Sequence, residues 1–408
     1  MKNTLILARK LFDGDTRLEP PGGVAVALYQ GRIAYAGPAE QVPTGEWATF
    51  HLTDATLLPG LIDMHVHMTM DGSASTIEQT QTDSPSQAML RAVINAEKQI
   101  RNGVTTVRDC GCQGDQAIRL GQAVRQGQAL RSPRIFACGQ VLCITGGHGT
   151  FIGCECDGPD SFRRAARRML KEGADFLKII STGGVISKGT QAGAVQMDLE
   201  EVAAVVHEAQ KVGVPVVTHA HGAEGIRIAL NAGVRSIEHA SYLDEDGLQL
   251  FCKNGAMFTS TLLASQLELD HADELPAYMA EKIRAHMDRE HASVRRLIKA
   301  GVPALGGTDA GTPFNPHGRL ADQLIILMEH GLSDVQALQA STSLAARALN
   351  REGELGRLLP GFVGDVLAVD GDPQRDLAAL KKVRCVWRDG WLLYSKTDIT
   401  GRSSNVEN

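Results

Sequence analysis

Two histidines stand at the end of an apolar run early in the chain. The run "GLIDMHVH" finishes in His65 and His67, which one valine separates. Alternate residues of a β-strand project to the same face, so the two imidazoles point the same way. Neutral imidazole is a common metal ligand, and the pair therefore predicts a metal site. Two hydrogen-bonded structural histidines at a strand end are the alternative.

Lys178 lies inside another apolar run, "DFLKIIS". A bare ammonium group buried there would carry a large desolvation cost. Three interpretations are open: a structural lysine whose charged end reaches solvent, a Schiff-base lysine, or an amine carboxylated by carbon dioxide, whose carbamate can bridge two cations. The neighbouring histidines favour the carboxylated lysine.

Further candidate ligands occur in three later runs. His219 and His221 lie in "VVTHAHG", His239 in "SIEHA" and Asp309 in "GGTDAGTPF". Imidazole and carboxylate groups are the ligands that zinc takes in catalytic sites. Such side chains occur in the first, fourth, fifth, sixth and eighth apolar runs, which chance explains poorly. We therefore predict that they form one functional cluster.

Eight apolar runs alternate with stretches of helical periodicity between residues 57 and 351. Apolar residues recur at three-to-four spacing over residues 84–102 and 159–172, which predicts helices there. This alternation is typical of a parallel sheet, and the predicted fold class is α/β, a (β/α)8 TIM-like barrel. Active-site groups of such barrels lie at the carboxyl ends of the strands, where these candidates occur. The runs are "GLIDMHVH", "GVTTVRDC", "PRIFACG", "DFLKIIS", "VPVVTHA", "RSIEHA", "AMFTSTL" and "VPALGGTDA".

Both ends of the chain differ from this pattern. Residues 1–56 and 352–398 contain short alternating segments with glycine turns, such as "GGVAVALYQGRIAYAG". They predict one small β-sandwich domain assembled from both termini. The final segment, residues 399–408, is polar and predicts a disordered tail.

Composition narrows the class of partner. The 408 residues carry a formal net charge of -6, and only 4% are aromatic. That composition is typical neither of nucleic-acid-binding proteins nor of membrane-surface proteins. We therefore expect a small-molecule ligand, with no nucleic acid and no membrane as partner.

The N-terminal segment and the cysteines bear on the compartment. The first apolar run is interrupted by Arg9 and Lys10 and is too short for a signal peptide or a membrane span, which predicts a cytoplasmic protein. The eight cysteines include Cys-x-Cys pairs beginning at Cys110 and Cys154, and neither has zinc-knuckle spacing. We expect reduced thiols and no structural metal.

The second run ends in two opposite charges, Arg108 and Asp109. A structural ion pair at the mouth of the barrel accounts for them better than substrate binding does.

Longer motifs give a resemblance to a known family over nearly the whole chain. The first-strand H-x-H, "TGGHGTF", "ISTGGVIS" and "THAHGAEGIRIALNAGVRSIEHASYLD" resemble the amidohydrolase superfamily, and within it the imidazolonepropionase-related group of prolidases and carboxypeptidases. The resemblance implies two divalent metal ions, of which zinc is the natural choice for these ligands, and a carboxylated lysine at Lys178. The implied ligands are His65, His67, Lys178, His219, His239 and Asp309.

The fifth strand offers two histidines for one ligand position. His219 stands in the H-A-x-G context of binuclear members and is preferred. Choosing His221 would create H-x-x-E with Glu224, which resembles mononuclear deaminases and imidazolonepropionase. Lys178 argues against that choice, because a mononuclear site needs no bridging anion.

The resemblance also implies a mechanism. A hydroxide bridging the two metals would attack the amide carbonyl, and Asp309 would orient it and move its proton. His148, on a glycine-rich loop, is the best candidate to bind the oxyanion, followed by His221. Tyr242 is a candidate to bind the C-terminal carboxylate of a substrate. The alternatives are that His148 is only a turn residue and that Tyr242 lies at the rim without a role.

Members of this group cleave dipeptides and N-acyl amino acids. The preferred prediction is a binuclear Xaa-Pro dipeptidase, and a carboxypeptidase or N-acyl-amino-acid hydrolase with another C-terminal residue such as Arg or Lys is the first alternative. A mononuclear deaminase or ring hydrolase and a non-catalytic binding barrel are more remote. The resemblance further implies a homo-oligomer, since related enzymes form dimers that assemble into tetramers or octamers.

Overall fold

The computed structural model describes residues 3–128 and 131–396. The chain opens with five strands that belong to a mixed sheet. Glycines at turns separate them, as the alternating N-terminal pattern predicts. These strands are β1 (Thr4–Phe12), β2 (Arg17–Leu18), β3 (Val24–Tyr29), β4 (Arg32–Pro38) and β5 (Ala48–Pro59).

Ten strands follow in the barrel region, and all of them pair in parallel. Each of the eight predicted runs coincides with one of them, and β12 and β13 extend two residues beyond their runs. They are β6 (Leu61–Val66), β7 (Val104–Asp109), β8 (Arg134–Ala137), β9 (Val141–Cys143), β10 (Gly153–Glu155), β11 (Leu177–Ile180), β12 (Val216–Gly222), β13 (Ser236–Tyr242), β14 (Met257–Ser260) and β15 (Ala304–Gly306).

Helices connect these strands. The helix predicted at 84–102 occurs at Pro85–Arg101 with Ser84 as its N-cap, and the helix predicted at 159–172 occurs with those bounds. None of the described helices is long and apolar enough to cross a bilayer. The helices are α1 (Thr76–Thr82), α2 (Pro85–Arg101), α3 (Gln116–Arg125), α4 (Pro159–Glu172), α5 (Leu199–Lys211), α6 (Ala223–Ala232), α7 (Glu245–Asn254), α8 (Leu262–Asp270), α9 (Ala277–Lys299), α10 (Leu320–Glu329), α11 (Asp334–Ala340) and α12 (Ser343–Ala348).

The parallel strands close into a barrel. One sheet has the order β6-β7-β8 and the other β10-β9-β11-β12-β13-β14-β15. Two short strands, β8 and β9, together occupy the third position of the barrel: β8 pairs with β7, and β9 pairs with β11. Gly139, with φ 73°, lies between them in the chain. The segment that follows the last strand meets the first strand, where the Asp309 N–H donates to the His65 carbonyl at 2.8 Å and Ala310 forms a parallel bridge with Val66. The predicted (β/α)8 barrel is confirmed.

Three further strands complete the terminal sheet: β16 (Val366–Asp370), β17 (Val383–Arg388) and β18 (Trp391–Ser395). The sheet order is β18-β17-β16-β5-β1-β3-β4, with β2 paired to β1, so both termini contribute to one eight-stranded sheet. Strand β5 runs three residues past the predicted boundary at 56/57. The division into two domains stays a prediction, and the predicted tail lies outside the described residues.

The alternation along β11 explains how a lysine comes to lie in the barrel. Leu177 and Ile179 belong to the main apolar cluster, together with Val202 and Val205 of α5. The intervening residue, Lys178, projects to the other face, because successive strand residues alternate. That face is the interior of the barrel, where the functional side chains meet.

Candidate active site

A cleft of about 700 Å³ opens at the carboxyl ends of the barrel strands. All six predicted metal ligands line it, and so do His148 and His221. Each side chain is buried: Lys178 retains 2% of its accessible surface and Asp309 9%. The barrel therefore brings together residues that are 244 positions apart (309 − 65).

His65, His67 and Asp309 form the tightest group. One Asp309 carboxylate oxygen lies 3.1 Å from His67 Nε2 and 3.4 Å from His65 Nε2. The three ligand atoms lie within 4.8 Å of one another, close enough to hold a single cation. The backbone carbonyl of Gly111 accepts a hydrogen bond from His67 Nδ1 at 2.9 Å, which leaves Nε2 with a lone pair facing the cleft.

A second group lies beside it. The ring of His239 is centred 5.3 Å from that of His65 and 4.6 Å from that of His219. Thr261 Oγ1 lies 2.7 Å from His239 Nδ1, so the other ring nitrogen of His239 is left for a ligand. The Lys178 amine and His219 Nε2 are buried and have no hydrogen-bond partner among the described residues.

These observations test whether the residues fit two divalent metal ions. Buried polar groups are normally hydrogen-bonded, so an amine and an imidazole nitrogen without partners in one cleft indicate a partner from outside the described residues. The donor set consists of imidazole nitrogens and a carboxylate, the ligands of catalytic zinc sites. The residues present fit a metal centre.

Protonation states in the cleft suit metal binding. Burial lowers the pKa of His65 to about 4 and holds the pKa values of His219 and His239 well below their ordinary range. Burial alone would raise the pKa of Asp309, but the neighbouring His65 and His67 lower it to about 2. His65, His219 and His239 are therefore neutral and Asp309 is ionised at pH 7, as coordination requires. Burial opposes it, but Asp309 raises the pKa of His67, so this imidazole would release a proton when a metal binds.

Two of these side chains sit on strained backbone. His239 has φ 72° and Asp309 has φ 57°, in the left-handed region that non-glycine residues rarely adopt. Such conformations cost on the order of 1–3 kcal/mol and persist where the surrounding structure enforces them, typically at functional sites.

The three residues predicted to bind substrate occupy different places. His148 packs against His219 with ring centroids 4.4 Å apart, and its Nδ1 lies 2.9 Å from Ser187 Oγ. His221 also lines the cleft, and its Nδ1 lies 2.8 Å from Ser241 Oγ. Tyr242 is half-buried behind this layer, where its hydroxyl lies 2.9 Å from His286 Nδ1.

Close packing around His148 depends on one glycine. A Cβ atom on Gly184 would lie 2.5 Å from His148 Nε2, so any side chain there would displace the ring. The motif "ISTGGVIS" that follows β11 therefore makes room for the imidazole.

Arg108 forms a structural ion pair, as predicted, but its partner is Glu238 and not Asp109. The guanidinium of Arg108 lies 2.8 Å from each carboxylate oxygen of Glu238, a buried residue that precedes His239 in the chain. Asp109 instead accepts backbone N–H groups, from Met68 at 2.7 Å and from Gly111 at 3.2 Å. Neighbouring strand residues project to opposite faces, which separates the two charges.

Sequence reasoning also missed the role of Glu238. Its Oε2 atom lies 2.8 Å from His65 Nδ1, so the carboxylate fixes the tautomer and orientation of a predicted ligand. The signal was present: an acidic residue inside the apolar run "RSIEHA" must be paired to be buried. Opposing charge from Arg108 outweighs burial and lowers its pKa.

We expect the Glu238→Gln variant to bind metal about 10–100-fold more weakly, since His65 loses its carboxylate partner. Competition with a chelator of known affinity measures this. Glu208→Gln serves as the control, because Glu208 is a buried carboxylate of α5 that pairs with Arg167 of α4, outside the cleft. Unchanged metal affinity in a folded Glu238→Gln protein would contradict the assigned role.

The fold and the cleft define a class. A (β/α)8 barrel whose strand ends gather histidines, a lysine and an aspartate is the scaffold of metal-dependent hydrolases. The family model described as Amidohydrolase family matches residues 56–393, and the chain belongs to that family.

Comparison with individual proteins supports the same class. The chain is 28% identical to ochratoxinase of Aspergillus niger, over 96% of this chain and 86% of that protein. It is 32% identical to a crystal structure of a Xaa-Pro dipeptidase with methionine bound in its active site, with a TM-score of 0.88 over 96% of this chain and 100% of that one. A prolidase complexed with N-methylphosphonate-L-proline is 27% identical, with a TM-score of 0.88 and coverage of 96% and 100%.

Proposed function

We propose that this protein is a binuclear metal-dependent dipeptidase that cleaves Xaa-Pro substrates. The observation that carries the proposal is the buried amine of Lys178, which has no hydrogen-bond partner among the described residues and lies in one cleft with the histidines and Asp309. Carboxylation of that amine would convert it into an anionic bridging ligand, which accounts for a lysine where a bare ammonium group is costly. The similarity to two proline-cleaving enzymes supports the substrate class.

Bound metal ions, zinc in this proposal, would activate a water molecule and polarise the scissile carbonyl. The residues that would hold them are His65, His67, Lys178, His219, His239 and Asp309. His219 is preferred to His221 as the fifth-strand ligand because its Nε2 is buried and has no hydrogen-bond partner among the described residues.

Asp309 moves the proton in this proposal. Its carboxylate is ionised at neutral pH, faces the cleft and can accept a proton from the attacking water, then deliver it to the departing amine nitrogen. His148 donates a hydrogen bond to the developing oxyanion. Tyr242 lies farther back, and we propose that it binds the substrate carboxylate together with His221.

One observation favours a second candidate, cleavage before an apolar residue other than proline. The cleft is lined by Met70, Val141, Ile152, Ile180 and Val185. Those side chains suit an apolar group better than the Arg or Lys of the carboxypeptidase alternative. The related Xaa-Pro dipeptidase structure holds methionine, an apolar amino acid, in its active site.

Chelation tests the proposal. We expect removal of metal to reduce hydrolysis of Ala-Pro and Met-Pro to background, and added zinc to restore it. A panel with Pro, Met, Phe, Arg and Lys as the C-terminal residue measures kcat/KM and separates the two candidates. Full turnover by protein shown to be free of metal would contradict the proposal.

A further inference from the structure

A second carboxylate lines the cleft without a role in the proposed mechanism. Glu268 lies on α8, which follows β14, and retains 4% of its accessible surface. It shares one helical face with Ala264 and Ser265, because residues three and four apart are neighbours on a helix. All three line the cleft together with the predicted metal ligands.

Glu268 has no partner among the described residues. Neither a hydrogen-bond donor nor a basic side chain lies within contact distance of its carboxylate. The charged groups that act on it, Asp309 and Glu290, are both acidic, and together with burial they raise its pKa to about 8. Glu290, by contrast, lies 3.2 Å from His286 Nε2.

Glu268 does not belong to the tightest group of possible ligands, which His65, His67 and Asp309 form, although the charge of Asp309 acts on it. A buried carboxylate is costly unless a cation or several donors accompany it. The described residues supply neither, so the raised pKa keeps the Glu268 carboxyl largely protonated at pH 7 until a cationic group of a ligand lies beside it and favours the carboxylate.

A dipeptide brings such a charge. Its free α-ammonium group is separated from the scissile carbonyl by one carbon atom, so it enters the cleft when the carbonyl reaches the metal centre. An N-acyl amino acid carries a neutral group in its place.

We propose that Glu268 binds the α-ammonium group of the substrate and selects free dipeptides over N-acyl amino acids. This inference rests on the proposed dipeptidase function and names the substrate class within it.

The test compares two substrates that differ by one amine, Ala-Pro and N-propanoyl-proline, in the metal-loaded enzyme at pH 7. We expect the wild-type ratio of kcat/KM to favour Ala-Pro, and Glu268→Gln to reduce that ratio by about 10–100-fold, as a lost charge-assisted hydrogen bond would. Glu268→Asp, which keeps the charge, is expected to retain part of the preference. Glu281→Gln, an exposed residue of α9, controls for the change in net charge.

The possible failures are distinguishable. If wild-type enzyme hydrolyses both substrates and Glu268→Gln leaves the ratio unchanged, the assignment of Glu268 is wrong while the hydrolase function stands. If Glu268→Gln loses metal relative to wild type, Glu268 belongs to the metal centre, which also overturns the assignment. If wild-type enzyme hydrolyses neither substrate nor any other dipeptide of the panel, the proposed function itself is wrong.

Discussion

We expect the Asp309→Asn variant to hydrolyse Xaa-Pro dipeptides about 10²–10⁴-fold more slowly than wild type, the range typical of losing a positioned acid–base group. The amide cannot accept the proton that the carboxylate accepts. Asparagine keeps the shape and tolerates positive φ, so the backbone at φ 57° is retained. Steady-state kcat and KM for Ala-Pro measure the effect, with metal content determined on the same sample.

A matched control distinguishes loss of this carboxylate from a general loss of charge. Asp322→Asn removes an aspartate of α10 that contacts Arg319 at 2.8 Å, outside the cleft. We expect its activity to remain at the wild-type level. Near wild-type kcat in Asp309→Asn would show that another group moves the proton.

The second large effect is expected for Lys178→Met. Methionine is similar in length and uncharged, so it fills the same apolar run without the cost of a buried amine. We expect the variant to fold with unchanged or higher stability, to bind at most one metal ion per chain, and to lose activity by about 10³-fold or more, because metal activation of water and carbonyl supplies several kcal/mol.

Carbon dioxide provides an independent test of Lys178. Metal-free wild-type protein in buffer depleted of carbon dioxide is expected to take up two zinc ions only after bicarbonate is added, and ¹³C-labelled bicarbonate is expected to give a carbamate signal in the NMR spectrum. Lys178→Met lacks that signal. Two bound metal ions and full activity in Lys178→Met would contradict the bridging role.

Much of the fold and most of the cleft follow from local patterns. The apolar runs predict strands because a parallel barrel buries both faces of each strand. Period-two alternation then places His65 and His67 on one face, and Lys178 opposite the apolar neighbours that pack on α5. These residues need no long-range information to be recognised, since each is a polar group in an apolar run.

Contacts between side chains of different barrel strands could not be predicted from such local patterns. Glu238 joins Arg108 and His65 because three strands place them at the same height, and strand stagger is not encoded within any one run. Glu268 lies on a helix whose face toward the cleft depends on how the loop after β14 packs. Strands β9 and β10 have three residues each, too short for a periodic pattern.

The most direct test of the central claim is a titration of metal-free enzyme with zinc, in the presence of bicarbonate, followed by the rate of Ala-Pro hydrolysis. A binuclear dipeptidase predicts that the rate rises to a plateau at two equivalents of zinc per chain. A plateau at one equivalent, or no hydrolysis at any zinc concentration, would contradict it and would favour a mononuclear hydrolase acting on another substrate.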